Sequence, residues 1–237
     1  MTEQTFTAPL ETLRKRIHEA TQRLLGDTIG ISDDDWNRPS RLPGWSRANV
    51  ATHLSANADA LAELIDEAIA GRTAALYPDE EARAEGIERG SSMTGLELQI
   101  CLDTSAGRLE RAMDAVEDWS APVELLGRQL TLAQVPMARL AEIVAHHLDL
   151  DCGFEVGRLD SVSARWLLQW ASFRHADDAD LPALRLESTS GLTADLGPDG
   201  EPRTVTGSDA ALWAWLIGRV ADDELEGADD LMPALRA

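Results

Sequence analysis

The sequence predicts a mainly α protein with a smaller α+β part at its C-terminal end. Three observations carry this expectation. Apolar residues recur at helical spacing through four long segments, residues 9–29, 47–70, 95–118 and 132–150. The pattern changes beyond Gly153, which sets a boundary between residues 1–152 and residues 153–237. Past that boundary, three short alternating runs at 183–187, 192–196 and 201–205 are separated by Ser190-Gly191 and Gly197-Pro198-Asp199-Gly200, as strands of a small antiparallel sheet are. A chain of 237 residues is long enough to bury a sizeable core in either part.

The first helix follows from Leu10, Leu13, Ile17, Leu24 and Leu25, spaced among Arg, Glu and Gln. Ser32-Asp33-Asp34-Asp35-Trp36 is a second, short helical start, because Ser and Asp supply capping oxygens and acidic groups suit the positive end of a helix dipole. Pro39 to Trp45 is rich in helix breakers, and Ser46 then caps a long helix whose apolar stripe is Val50, Leu54, Leu61, Leu64 and Ile65. Gly71 closes it. A loop with a new helix start follows at residues 76–83 and holds Tyr77 and Arg83; the next long helix carries Leu96, Leu98, Ile100, Leu102, Leu109, Met113 and Val116. After a loop around Pro122 and Gly127, Thr131 and Gln134 form a capping box for a helix expected to bend near Pro136. In the C-terminal part, a helix over 161–173 places Trp166, Leu167, Trp170 and Phe173 on one side. Gly207-Ser208-Asp209 caps a last helix that ends at Gly218-Arg219, and an acidic surface segment and a poorly specified tail follow.

Composition excludes several partners. The net charge of −21 argues against a nucleic-acid backbone or an anionic membrane surface, and an anionic substrate would need local arginines. The N-terminus lacks a basic and apolar leader, and no run of about 18 apolar residues occurs, so a cytoplasmic protein is expected. Cys101 and Cys152 are too isolated for a disulfide framework or a cysteine zinc site, and are expected to be buried thiols. No phosphate-binding glycine loop, dinucleotide fingerprint or nucleophile elbow is present.

One constellation carries chemistry. Glu142 and His146 are four residues apart on a helix, about 40° around its axis, and can grip one ion. His53 would complete a set of two imidazoles and a carboxylate with a position left open, the composition of a catalytic zinc site. Each residue also has a plain alternative. His53 could be a half-buried histidine bonded to backbone. The helical wheel puts Met137, Leu140, Ile143, Val144 and Leu148 on one arc and Arg139, Glu142, His146 and Asp149 on the other, as a solvated face would be. Ala138 and Ala145 would let another helix come close to that polar side.

Two sets of motifs resemble a known family. Leu42-Pro43-Gly44-Trp45-Ser46-Arg47, then His53-Leu54 and Asn57-Ala58, joined to Arg139, Glu142, His146 and Asp149-Leu150, resemble the mycothiol-dependent maleylpyruvate isomerase family of DinB-like metal-binding helical bundles. Ser208-Asp209, Leu212-Trp213, Trp215-Leu216 and Gly218-Arg219 are similar to that family's C-terminal α+β module. The resemblance implies a DinB-like four-helix bundle at 1–152, followed by an α+β domain that covers the cleft. It implies that His53, Glu142 and His146 hold a divalent ion, most often Zn²⁺, and that Arg219 matches the catalytic arginine. It further implies a mycothiol cofactor, a small anionic substrate, and thiolate addition that converts maleylpyruvate to fumarylpyruvate. A mycothiol S-transferase and a non-catalytic metal-binding sensor remain as alternatives, and monomer and homodimer are both open. Asp149 or His147 could orient ligands. Tyr77, Arg83, Trp45 and Arg47 are weaker candidates for the thiol's sugar or the substrate, with packing or surface charge as the alternative.

Overall fold

The computed structural model describes residues 8–72, 76, 80–176, 178, 180–229 and 231. Tyr77 and the tail beyond residue 231 lie outside the described residues. Two compact units divide the chain, one of Pro9–Gly153 and one that holds Phe154 onward.

The first unit is built on four long helices: α1 (Leu10–Thr28), α3 (Arg47–Ile69), α5 (Gly95–Asp114) and α6 (Val135–Asp149), with the short α2 (Asp33–Trp36) and α4 (Glu80–Gly90) between them. Their starts are written in the sequence. Ser32 accepts the Asp35 N–H, Ser46 and Asn49 form a capping box on α3, and Thr94 and Glu97 form one on α5. Neighbouring pairs α1 and α6, α6 and α3, α3 and α5, and α5 and α1 close a four-helix ring. Leu13 and Leu24, Leu54 and Leu61, Leu98 and Leu109, and Leu140 and Leu148 are buried in it. Burying each such leucine stabilises the fold by about 1.5–3 kcal/mol. Buried alanines at 48, 51, 58 and 62 keep α3 slim enough for close neighbours on several sides.

Three details depart from expectation. The loop around Pro122 and Gly127 is a hairpin, β1 (Pro122–Leu125) with β2 (Arg128–Thr131). Leu126 and Gly127 both have positive φ, 57° and 69°, the backbone of a two-residue hairpin turn, and leucine is not a residue that announces it. The capping box of Thr131 and Gln134 is present, but it opens a 3₁₀ turn (Leu132–Gln134), and α6 begins only at Val135. Pro136 therefore sits in the first turn, where no N–H is required, and causes no loss of an internal hydrogen bond. The cysteines are half-buried rather than buried: Cys101 lies on α5 with its Sγ 3.9 Å from Met93 Sδ, and Cys152 follows the end of α6.

The second unit packs α7 (Ser161–His175) and α8 (Asp209–Leu216) on a sheet of β3 (Leu184–Ser188), β4 (Thr193–Leu196) and β5 (Arg203–Gly207). Leu184, Leu186, Ala194, Leu196 and Val205 are buried, as are Leu167, Trp170, Leu212, Trp213 and Trp215 of the helices. The expected antiparallel sheet is mixed instead. β3 and β4 form the antiparallel hairpin, but the order is β4-β3-β5 and β5 runs parallel to β3. Leu184 is paired with Leu196 on one side and Arg203 on the other, so residues 197–202 cross the start of β3. Six residues can span two strand spacings of about 4.8 Å each, whereas a two-residue turn would have kept β5 beside β4. No described helix is long and apolar enough to cross a membrane.

Candidate metal centre

The polar side of α6 is buried. Arg139, His146 and His147 retain 3%, 5% and 2% of their exposure and Asp149 none, which removes the solvated-face alternative. The covering element is α3 of the same unit. Arg139 Nη1 donates to the Leu54 carbonyl and to Asn57 Oδ1, both at 2.9 Å. Asn57 lies one turn after His53 on α3, and Arg139 lies one turn before Glu142 on α6. The two helices therefore run in opposite directions, and the Arg139–Asn57 layer sits directly beneath a His53–Glu142–His146 layer. Sequence reasoning placed Arg139 and Asn57 in a motif but missed this pinning role; the matched one-turn offsets from His53 and Glu142 are the signal for it.

In the upper layer, Glu142 Oε2 lies 3.1 Å from His53 Nε2 and 3.4 Å from His146 Nε2. The imidazoles meet edge to face with centroids 4.5 Å apart. One donor atom from each residue lies within 4.8 Å of the others. Ligands on tetrahedral arms of about 2.0–2.1 Å are separated by about 3.3–3.4 Å, so the two N···O separations match the edge of a metal tetrahedron. The donor set also fits: two imidazoles and one carboxylate are the ligands of several catalytic zinc sites, with a fourth position open. His53 and His146 are nearly sealed, at 6% and 7% side-chain exposure, while Glu142 keeps 24%, so access to the cluster is from the carboxylate's side. Both ring nitrogens of His53 face side chains, Nε2 that of Glu142 and Nδ1 that of Arg83.

Asp149 Oδ2 lies 2.8 Å from His146 Nδ1. The fully buried carboxylate orients the ring and points Nε2 at Glu142, the usual support for a metal-binding histidine. His53 has the opposite partner. Arg83 Nη2 of α4 lies 3.1 Å from its Nδ1, and Trp45 packs against the ring edge with centroids 5.7 Å apart.

These contacts set the protonation of the cluster. Burial alone would raise the Glu142 carboxyl, but hydrogen bonds from His146 and His53, and their charge, hold it well below the ordinary carboxylate range. Burial pulls His53 down, and His146 and Arg83 add to that against the opposing bond to Glu142, so its pKa is lowered. Burial also works against protonation of His146, but bonds to Asp149 and Glu142 outweigh it and its pKa is raised.

The breaker-rich turn has a structural task. Trp45 N–H donates to the Leu42 carbonyl with Gly44 at φ 79°, Arg41 N–H caps the Asp149 carbonyl at 2.8 Å, and Arg47 Nη2 holds the Asp151 carbonyl at 2.7 Å. The turn thus clamps the end of α6 while presenting Trp45 to His53. Arg47 is a clamp, and His147 turns away to α1, where its Nε2 lies 3.3 Å from Asp27 Oδ2. Arg219 belongs to the C-terminal unit; it follows Gly218 (φ 71°), its N–H donates to the Ala214 carbonyl at 2.8 Å, and its guanidinium bonds the Ile217 carbonyl.

Comparison with known proteins places the fold among solved structures and the bundle in a family. Residues 10–151 match the model of the mycothiol maleylpyruvate isomerase N-terminal domain. Two crystal structures, one of the mycothiol-dependent maleylpyruvate isomerase and one of a histidine-to-alanine mutant of it, superpose with a TM-score of 0.86 at 25% identity, over 95% of this chain and 97% of theirs. Among curated proteins none matches at a significant level. The matched model covers more than half of the chain, including all four bundle helices and the His53–Glu142–His146 cluster, and the chain belongs to the mycothiol maleylpyruvate isomerase N-terminal domain family.

Proposed function

We propose that this protein is a mycothiol-dependent isomerase that converts maleylpyruvate to fumarylpyruvate with the help of a divalent ion, Zn²⁺ by the chemistry of its ligands. The observation that carries the proposal is the His53–Glu142–His146 cluster, whose N···O separations of 3.1 and 3.4 Å suit one small cation. The family match and the named structural neighbours support the thiol and the substrate class.

An ion and a thiol bound together would supply one chemistry: Lewis acidity that keeps the sulfur deprotonated at neutral pH, for reversible addition that frees the cis double bond to rotate. The residues do the rest. His53, Glu142 and His146 would hold the ion with a single negative charge among them, which would leave it electrophilic. Asp149 keeps the proton of His146 on Nδ1 throughout. Trp45 closes the edge of His53 against water. Arg219 is assigned the binding of a substrate carboxylate and of the negative charge that develops during addition, a task for a planar fork of donors. Its support is the resemblance of residues 208–219 to the family's C-terminal module.

The test is turnover of maleylpyruvate by the zinc-loaded protein with and without mycothiol. Thiol-dependent formation of fumarylpyruvate is expected, with Arg219→Gln slowed by at least about 100-fold if it stabilises developing charge. Consumption of mycothiol by a test electrophile without isomerisation would make the protein an S-transferase, and inertness in both assays would leave a metal-binding module.

A further inference from the structure

The most open seam of the bundle lies between α1 and α5. The two helices run antiparallel and are tied near their surface by ion pairs, Arg14 to Asp114 and His18 Nδ1 to Glu110 Oε1 at 3.9 Å. Between them lies a cleft of about 560 Å³ including its open mouth, a size that suits a small ligand. Ile17, Leu109 and Met113 are buried and give it apolar walls, while Ala106 and Gly107 leave the α5 side without bulk. The charged groups are graded by depth. Asp103, Glu110 and His18 stand at the exposed rim, whereas Arg139 is only 3% exposed and Arg14 is half-buried. The Arg14 Nε is itself buried and has no hydrogen-bond partner among the described residues. A buried N–H left unpaired costs about 1–3 kcal/mol, and an acceptor that entered the cleft would relieve it.

We propose that this cleft is a second ligand site, separate from the His53–Glu142–His146 centre, and that it takes a small organic carboxylate with a compact apolar body. The two carboxylate oxygens accept from Nε and one Nη of Arg14, the paired geometry a guanidinium offers to such an anion. Asp114, 61% exposed, gives up its place on Arg14 and returns to water at little cost, because an ion pair this open contributes little. Arg139, whose Nη1 is committed to the Leu54 carbonyl and Asn57, adds a permanent positive charge at depth, where water screens it least. The acids of the rim stand in solvent and oppose the anion far less. Ile17, Leu109 and Met113 select for the apolar body: a strongly hydrated inorganic anion gains nothing from them, and a neutral apolar molecule leaves the Arg14 Nε unpaired. None of the three residues of the metal centre lines the cleft, so the site does not depend on the proposed ion.

The experiment titrates the full-length protein with benzoate, and with benzyl alcohol as a neutral molecule of the same body, and follows backbone ¹H–¹⁵N shifts with and without one equivalent of Zn²⁺. Benzoate is expected to saturate, to move the amides of Ile17, Gly107 and Met113, and to bind equally in both conditions. Benzyl alcohol should bind at least about tenfold more weakly, the scale of one hydrogen bond to a charged group. Arg14→Gln should weaken benzoate by a similar factor. Ala106→Leu, which fills the cleft with a good helix former, should abolish binding; the two variants act by different means, so a folding defect in one leaves the other decisive. Benzoate shifts that stay linear with concentration would overturn the proposal, as would equal affinity for benzyl alcohol or affinity unchanged by either variant. Shifts confined to the amides around His53, Glu142 and His146, and seen only with zinc, would overturn it as well by placing benzoate on the metal. Failure of the protein to bind zinc would sink the metal assignment and leave the expected benzoate result as it stands.

Discussion

Asp149, with no exposed surface, holds His146 through a 2.8 Å contact between its Oδ2 and the ring Nδ1. Because this bond helps raise the His146 pKa, the stability it contributes to metal-free protein is fully present below about pH 6.5, the unfolded value, and is lost as pH rises through the raised folded value. Asp149→Asn is therefore expected to lower the melting temperature of metal-free protein most at mildly acidic pH. The gap to wild type should narrow as pH rises past the folded pKa; thermal unfolding at a series of pH values reads it. A gap that is constant with pH would mean that Asp149 contributes packing alone.

Arg139 supports the floor of the site with bonds to the Leu54 carbonyl and Asn57 Oδ1 while only 3% exposed. Arg139→Ala leaves a buried carbonyl and a buried amide oxygen short of a donor and removes the stem that fills the bundle. A loss of about 2–4 kcal/mol is expected in urea unfolding. A loss below about 0.5 kcal/mol, the scale of an ordinary surface change, would show that the layer is not holding α3 to α6.

The crossing segment of the C-terminal sheet turns at Gly197, where φ is 78° and a Cβ would lie 2.3 Å from the Pro182 carbonyl oxygen. Gly197→Ala must strain the turn and push back that backbone. Destabilisation of about 1–3 kcal/mol is expected, whereas Gly191→Ala, with nothing within 4 Å of the added carbon, should cost less because only its φ of 82° opposes the change. Equal effects at the two positions would contradict the tight crossing.

Much of this architecture is legible from local signals. Ser32, Ser46, Thr94 and Thr131 all cap as side chains of their type do, and the long helices fall where the 3.6-residue period puts them. What is not legible depends on partners distant in sequence. The polar arc of α6 looks like a wet surface because a helical wheel does not show that α3 brings His53, Asn57 and the Leu54 carbonyl against it. The direction of β5 depends on which edge of β3 it joins, which its own alternation does not encode. The Leu126-Gly127 hairpin is hidden because a leucine takes a backbone position that asparagine or aspartate usually signals. Arg83 is similar: its sequence position gives no hint that it would face His53 Nδ1, and only that contact distinguishes it from Arg47, which clamps Asp151.

The most direct measurement of the central claim is the zinc content of wild type and His53→Ala after equilibrium dialysis against buffered Zn²⁺. His53, Glu142 and His146 as a single ligand set predict stoichiometric zinc in the folded wild type. The alanine variant, still folded by circular dichroism, should lose most of that zinc at the same free concentration. Retention of stoichiometric zinc by folded His53→Ala would contradict the ligand set.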